Sequence, residues 1–252
     1  GFEDDAGPAT YSSTGYWADN DIFDPDSRTW PLMTATGTGT RLDLSSVTTV
    51  DAGFNSSGED DDIQRISTSA GAVIDLSGIV TVTGPADYDD RLEFIADGAD
   101  SQLLLDSLKT AISASRGVVR FVVSNGTDVL LPALQTMEQV RFDLSSGARV
   151  SVNGPPATYS STNLWLDNDI FSPDSRTWNL FTATGAQTVL DLSSVVSIDA
   201  GFDSGGSDAD IQRIVAEEGA TIDLSGLNAS TAPRDSNDRL EYVVDGADSH
   251  LL

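Results

Sequence analysis

Apolar residues in this chain recur in short alternating runs that end at glycine- and aspartate-rich corners. "RLEFIA" (Arg91 to Ala96) and "VRFVV" (Val119 to Val123) alternate with period two, the spacing of strands that bury one face. Each runs into a tight turn, "DGAD" from Asp97 or "NGTD" from Asn125, and then into a second short apolar segment. Such bends need residues that tolerate positive φ, which glycine and asparagine supply. "IQRISTSAGAVIDL" and "VRFDLSSGARVSV" read the same way. The stretch that comes nearest to helical periodicity is "DSLKTAISASR", Asp106 to Arg116.

The second apolar segments share a frame. "LDLSSVTTV" starts at Leu42, "IDLSGIVTV" at Ile74, "LLLDSLKTA" at Leu103 and a fourth at Val129, spaced 32, 29 and 26 residues apart; Leu190, Ile222 and Leu251 resume the series. If these units stack, Ile66, Phe94, Phe121 and Phe142 form one inward column. Arg65, Glu93, Arg120 and Arg141 then form an outward row, whose like-charge repulsion Glu93 and Asp143 would offset. Pairing as hairpins in a sandwich is the alternative, but hairpins leave the recurrence unexplained.

A longer period encloses the short one. Ala9 aligns with Ala157, and the match runs without a gap to Leu104 and Leu252 at an offset of 148, with about two-thirds of positions identical. The blocks "ATYSST", "PDSRTW", "LDLSS", "IDLSG" and "DGADS" occur in both copies. Self-similarity of this kind marks arrays whose units bury a face only against their neighbours. The expected organisation is a linker or upstream tail at 1–8, a first repeat at 9–156, and a truncated second repeat at 157–252 continuous with it. The start at Gly1 and the stop within a strand pattern lead us to expect a window of a longer array.

The expected fold is all-β: a parallel β-solenoid of roughly 21–40-residue coils in 148-residue tandem repeats, right-handed by the crossover rule. Here "VIDLSGIVTV", "TIDLSGL" and "ADGADSQLLLDSLKTA" resemble the repeats of large bacterial extracellular β-solenoid proteins of the surface-fibre or adhesin type. The resemblance implies a fold class and an extracellular or cell-surface location, and carries over no catalytic residue.

Charge narrows the partners. Forty acidic residues against thirteen basic ones give a net charge of −27 over 252 residues. No basic stripe is present to neutralise phosphates, so nucleic acid is not an expected partner. The chain has no cysteine, hence no disulfide or thiolate site. No apolar run is long enough to insert in a membrane. Aspartate far outnumbers glutamate, which points to turns and caps, because the short carboxylate reaches nearby backbone N–H groups.

Two segments carry candidate chemistry. "WADNDIFDPDSRTW" at Trp17 to Trp30 recurs as "WLDNDIFSPDSRTW" at Trp165 to Trp178. Asp19, Asp21 and Asp26, with Asp167, Asp169 and Asp174, form clusters that a hard cation such as calcium could take. Trp17, Trp30, Trp165 and Trp178 could stack on sugar rings or make lateral contacts. The plainer alternative is a loop of Asx and type I turns anchored by its tryptophans. The second segment, "SGEDDDIQ" and its copy "GGSDADIQ", offers Asp60, Asp62, Asp208 and Asp210 as a weaker cation site. Leu251 and Leu252 would form an assembly edge.

The expected function is structural: a rigid fibre, filament or adhesin stalk, associating with copies of itself, with no required cofactor and with calcium as the ion it could bind. A carbohydrate-binding module facing extracellular polysaccharide is the alternative. A polysaccharide lyase or hydrolase comes last, because enzymes on such folds build one irregular groove, whereas this chain writes one surface twice.

Overall fold

The computed structural model describes residues 9–15, 28–54, 62–87, 90–113, 117–163, 176–202 and 209–252. Among them lie twenty-four strands and no helix. After β1 (Ala9–Ser12) the strands come in threes. β2 (Thr29–Thr36), β3 (Arg41–Asp43) and β4 (Val47–Asp51) form the first triplet, and β5 (Ile63–Ser69), β6 (Val73–Asp75) and β7 (Thr81–Gly84) the second. β8 (Arg91–Asp97), β9 (Gln102–Leu104) and β10 (Thr110–Ser113) follow, then β11 (Val118–Ser124), β12 (Asp128–Leu130) and β13 (Thr136–Glu138). β14 (Val140–Ser145), β15 (Arg149–Ser151) and β16 (Ala157–Ser160) precede β17 (Thr177–Thr184), β18 (Val189–Asp191) and β19 (Val195–Asp199). The series ends with β20 (Ile211–Glu217), β21 (Thr221–Asp223) and β22 (Ala229–Thr231), then β23 (Arg239–Asp245) and β24 (His250–Leu251). The described part of "DSLKTAISASR", Asp106 to Ser113, holds β10 and no helical turn: Leu108 and Ala111 face the core from a corner and a strand.

Every pairing is parallel and joins a strand to the one three places along. The first sheet runs β1-β4-β7-β10-β13-β16-β19-β22, and the second β2-β5-β8-β11-β14-β17-β20-β23. The third face is split into β3-β6-β9 and β12-β15-β18-β21-β24. The joint between the first repeat and its truncated copy is unbroken, since β13 pairs β16, β14 pairs β17 and β15 pairs β18. In the second sheet Met33, Ile66, Phe94, Phe121, Phe142, Phe181, Ile214 and Tyr242 are successive partners, 33, 28, 27, 21, 39, 33 and 28 residues apart.

The inward columns make the core. Ile66, Phe94, Phe121 and Phe142 are in register and fully buried, as the sequence pattern predicts. Phe94, Phe121 and Phe142 stack with centroids 5.1 and 5.2 Å apart and planes within 17°. Phe181 tilts to 52° against Phe142 and takes the edge of Tyr159 at 4.7 Å. The shared frame of the third face holds in part: Leu42, Ile74 and Leu103 are partners, and so are Leu190, Ile222 and Leu251, but no ladder joins Leu103 to Val129, and Val150, which the series passed over, stands between Val129 and Leu190.

Corners explain much of the aspartate. Asp43, Asp75, Asp191 and Asp223 each accept the main-chain N–H two residues on, from Ser45, Ser77, Ser193 and Ser225, at 2.8–3.1 Å. This is the Asx turn that the recurring "DLS" encodes. The glycine of "DLSG" has a separate cause. A Cβ on Gly78 or Gly226 would stand 2.0 Å from the carbonyl oxygen of Ser45 or Ser193 in the preceding triplet, so only glycine lets these corners stack.

Between the second sheet and the third face, one turn chemistry recurs. In four-residue turns a hydroxyl on Thr40, Ser101, Thr188 or Ser249 donates to the carbonyl four residues back, at 2.6–3.0 Å. In three of these the third residue has positive φ (Gly39, Gln187, Asp248); Asp100 does not, and its turn leads into β9, where the third face is interrupted.

Candidate functional site

Asp19, Asp21, Asp26, Asp167, Asp169, Asp174, Asp60, Asp208, Trp17 and Trp165 lie outside the described residues. Asp62, Asp210, Trp30, Trp178, Leu251 and Leu252 lie within them.

Asp62 and Asp210 sit where the chain turns into the second sheet, each only 2% exposed. Asp62 Oδ1 accepts the Arg28 N–H at 3.1 Å, and the Asp62 N–H donates to Asp90 Oδ1 at 3.1 Å. The copy repeats this with Arg176, Asp210 and Asp238 at 2.9 and 3.0 Å. One carboxylate oxygen of each aspartate therefore satisfies the backbone of a neighbouring triplet at a buried corner. Among the described residues no group of three or more histidine, cysteine or acidic side chains could hold a metal ion.

Trp30 and Trp178 are half-buried on β2 and β17, as register partners of Gln64 and Gln212. Those glutamines are fully buried, so both tryptophans belong to an inward column rather than to the outer face. Gln64 Nε2 donates to the Ser13 carbonyl at 2.9 Å while Ser13 Oγ donates back to Oε1; Gln212 and Ser161 do the same. Each pair ties the first sheet to the second beside the Trp-bracketed segment. Sequence reasoning missed it, although Ser13–Gln64 and Ser161–Gln212 recur at the 148-residue offset.

Leu251 lies on β24, paired with Ile222, and Leu252 is 61% exposed. Tyr242 and Val244, in the inward columns of β23, are also exposed at 42% and 49%.

Three further surfaces stand out in the fold. On the first sheet Thr49, Thr81, Thr110, Thr136 and Thr158 form one in-register outer column. On the third face, where no ladder joins β9 to β12, a cleft of about 350 Å³ opens between Asp100, Gln102, Leu104, Asp106, Asp128 and Leu130. Leu130 is 56% exposed there. On the second sheet the outward row Arg65, Glu93, Arg120, Arg141 is in register as expected. It is an ion-pair network: Glu93 takes Arg65 Nη2 at 2.7 Å, Arg120 Nη1 at 3.1 Å and Arg91 Nε at 3.3 Å, and Arg120 Nε reaches Asp143 at 2.5 Å. Glu93 itself is buried, its side chain 4% exposed, because three guanidinium groups cover it. An outward position is here not a solvated one.

Comparison with protein-family models, curated proteins and solved structures finds no match for this chain.

Proposed function

We propose that this chain is a section of a right-handed parallel β-solenoid that serves as an extracellular structural element, a stiff fibre or adhesin stalk lengthened by tandem repeats. The observation that carries the reading is the unbroken pairing from the first repeat into its truncated copy, β13 with β16, β14 with β17 and β15 with β18, one pair in each of the three faces. A unit that hands its inward columns to a related unit in register can be extended by repetition, and rigidity follows because each triplet contacts only its neighbours. Five triplets at ~4.8 Å each advance the axis by about 24 Å per repeat. Pairing of Leu251 and Leu252 with a further unit or another copy belongs to the same proposal.

Much of the acidity is accounted for without ligands, by Asx turns and by corner aspartates that cap backbone N–H groups. The remainder keeps a long rod dispersed. Calcium and glycan contact stay attached to the Trp-bracketed segment as proposals, and no catalytic role is proposed.

Electron microscopy and fibre diffraction of the protein test the reading. Straight rods with a meridional spacing near 4.8 Å are expected. Compact particles with no axial repeat would overturn it, and turnover of an acidic polysaccharide would replace it.

A further inference from the structure

We propose that Arg141, with Arg120 beside it, holds an oxoanion (a carboxylate or a sulfate group) on the outer face of the second sheet. Arg120 and Arg141 are register partners on β11 and β14. Parallel neighbours stand ~4.8 Å apart, where two like charges repel. Arg120 resolves its half of the problem: Nη1 takes Glu93 and Nε takes Asp143. Arg141 has no ion pair or hydrogen bond among the described residues, and its Nε is buried without a partner.

The rest of the row cannot supply the missing charge. Glu93 is shared by Arg65, Arg91 and Arg120, and Asp143 is engaged by Arg120. Within the row, Arg65, Arg120 and Arg141 thus stand against two carboxylates, on a chain of net charge −27. Burial pushes the Arg141 guanidinium pKa down; Asp143 pulls it back, while Arg120 and Arg91 push it down further. A guanidinium does not shed its proton at ordinary pH, so the charge stays and calls for an external counter-ion. The planar fork matches a carboxylate or sulfate through two parallel N–H···O bonds, a match that a neutral hydroxyl group lacks.

Thermal unfolding of the whole chain at constant ionic strength tests the site. Sulfate and, separately, a uronic-acid oligosaccharide are titrated, with chloride and a neutral oligosaccharide as references. A saturable rise in Tm with anion is expected for the wild type, because a ligand that binds only the folded state stabilises it. A rise with both anions identifies a free oxoanion as sufficient; a rise with the uronate alone identifies the acidic glycan as the source. Arg141→Gln is expected to lose the rise and to be at least as stable as wild type in chloride, whereas Arg213→Gln keeps the rise. Three results would each overturn the proposal: no saturable rise in the wild type, an equal rise in Arg141→Gln, or a lower Tm of Arg141→Gln in chloride.

Discussion

Arg213 Nε lies 2.7 Å from Glu241 Oε2 across adjacent strands, repeating the 2.7 Å pair that Arg65 makes with Glu93 one 148-residue copy earlier. The two pairs have the same chemistry and different surroundings. The Glu93 side chain is 4% exposed and serves three arginines; that of Glu241, near the uncovered end of the sheet, is 27% exposed. Removing one partner of a buried pair leaves uncompensated charge, which costs ~3–5 kcal/mol, whereas an exposed pair contributes ~0–1 kcal/mol. Glu93→Gln is therefore expected to lower the urea midpoint sharply, and Glu241→Gln to shift it little. Equal effects of the two variants would contradict this assignment of burial.

The interruption of the third face between β9 and β12 leaves strand-edge groups without a ladder, while the other two sheets continue past it. Amide exchange reports local opening. The N–H groups of Leu103 and Leu105 are expected to exchange faster than those of Val150 and Leu190, which lie in the unbroken part. Uniform protection along the whole third face would mean that the gap closes in solution.

Asp97 provides a pH-sensitive staple beside that gap. Hydrogen bonds from Ser124 Oγ and then Asn125 Nδ2, both 2.6 Å, hold its carboxyl below the ordinary value of 3.8. The folded-state pKa is depressed, so the contribution is present above the unfolded value and lost as pH falls through the lower folded one. Unfolding curves of wild type and Asp97→Ala should therefore differ at pH 7 and converge as the pH drops below about 4. A difference independent of pH would assign the effect to packing alone.

Phe121 is the middle ring of the Phe94–Phe121–Phe142 stack and is fully buried. Phe121→Ala removes two ring contacts and leaves a void, an expected loss of ~3–5 kcal/mol. Phe121→Leu, closer in volume, should cost less. Equilibrium unfolding in urea would show both, and a negligible loss for the alanine variant would contradict the packing.

How legible was this protein before its fold? The alternation of "RLEFIA" and "VRFVV" identified strands, because period is a local property of the chain; the recurrence identified Leu42, Ile74 and Leu103 as partners but not the break before Val129 or the place of Val150 beside it. The excess of aspartate over glutamate pointed to turns and caps, and the structure places four of them as Asx turns in the "DLS" frame, a frame recognised by its apolar positions alone. The site candidates fared differently. Most fall outside the described residues, and Trp30 and Trp178 occupy an inward column that their exposure as isolated letters could not reveal.

The sequence by itself determined the strands, the corners, the columns and the 148-residue period, since each is written within one turn of chain or by comparing one stretch with another. Tertiary structure alone decided which outward residues are buried, which charges are compensated and where the third face parts. Among the described residues Glu93 is covered and Arg141 makes no ion pair because residues more than twenty positions away became neighbours. No local pattern encodes the balance of charge and burial that such neighbours create.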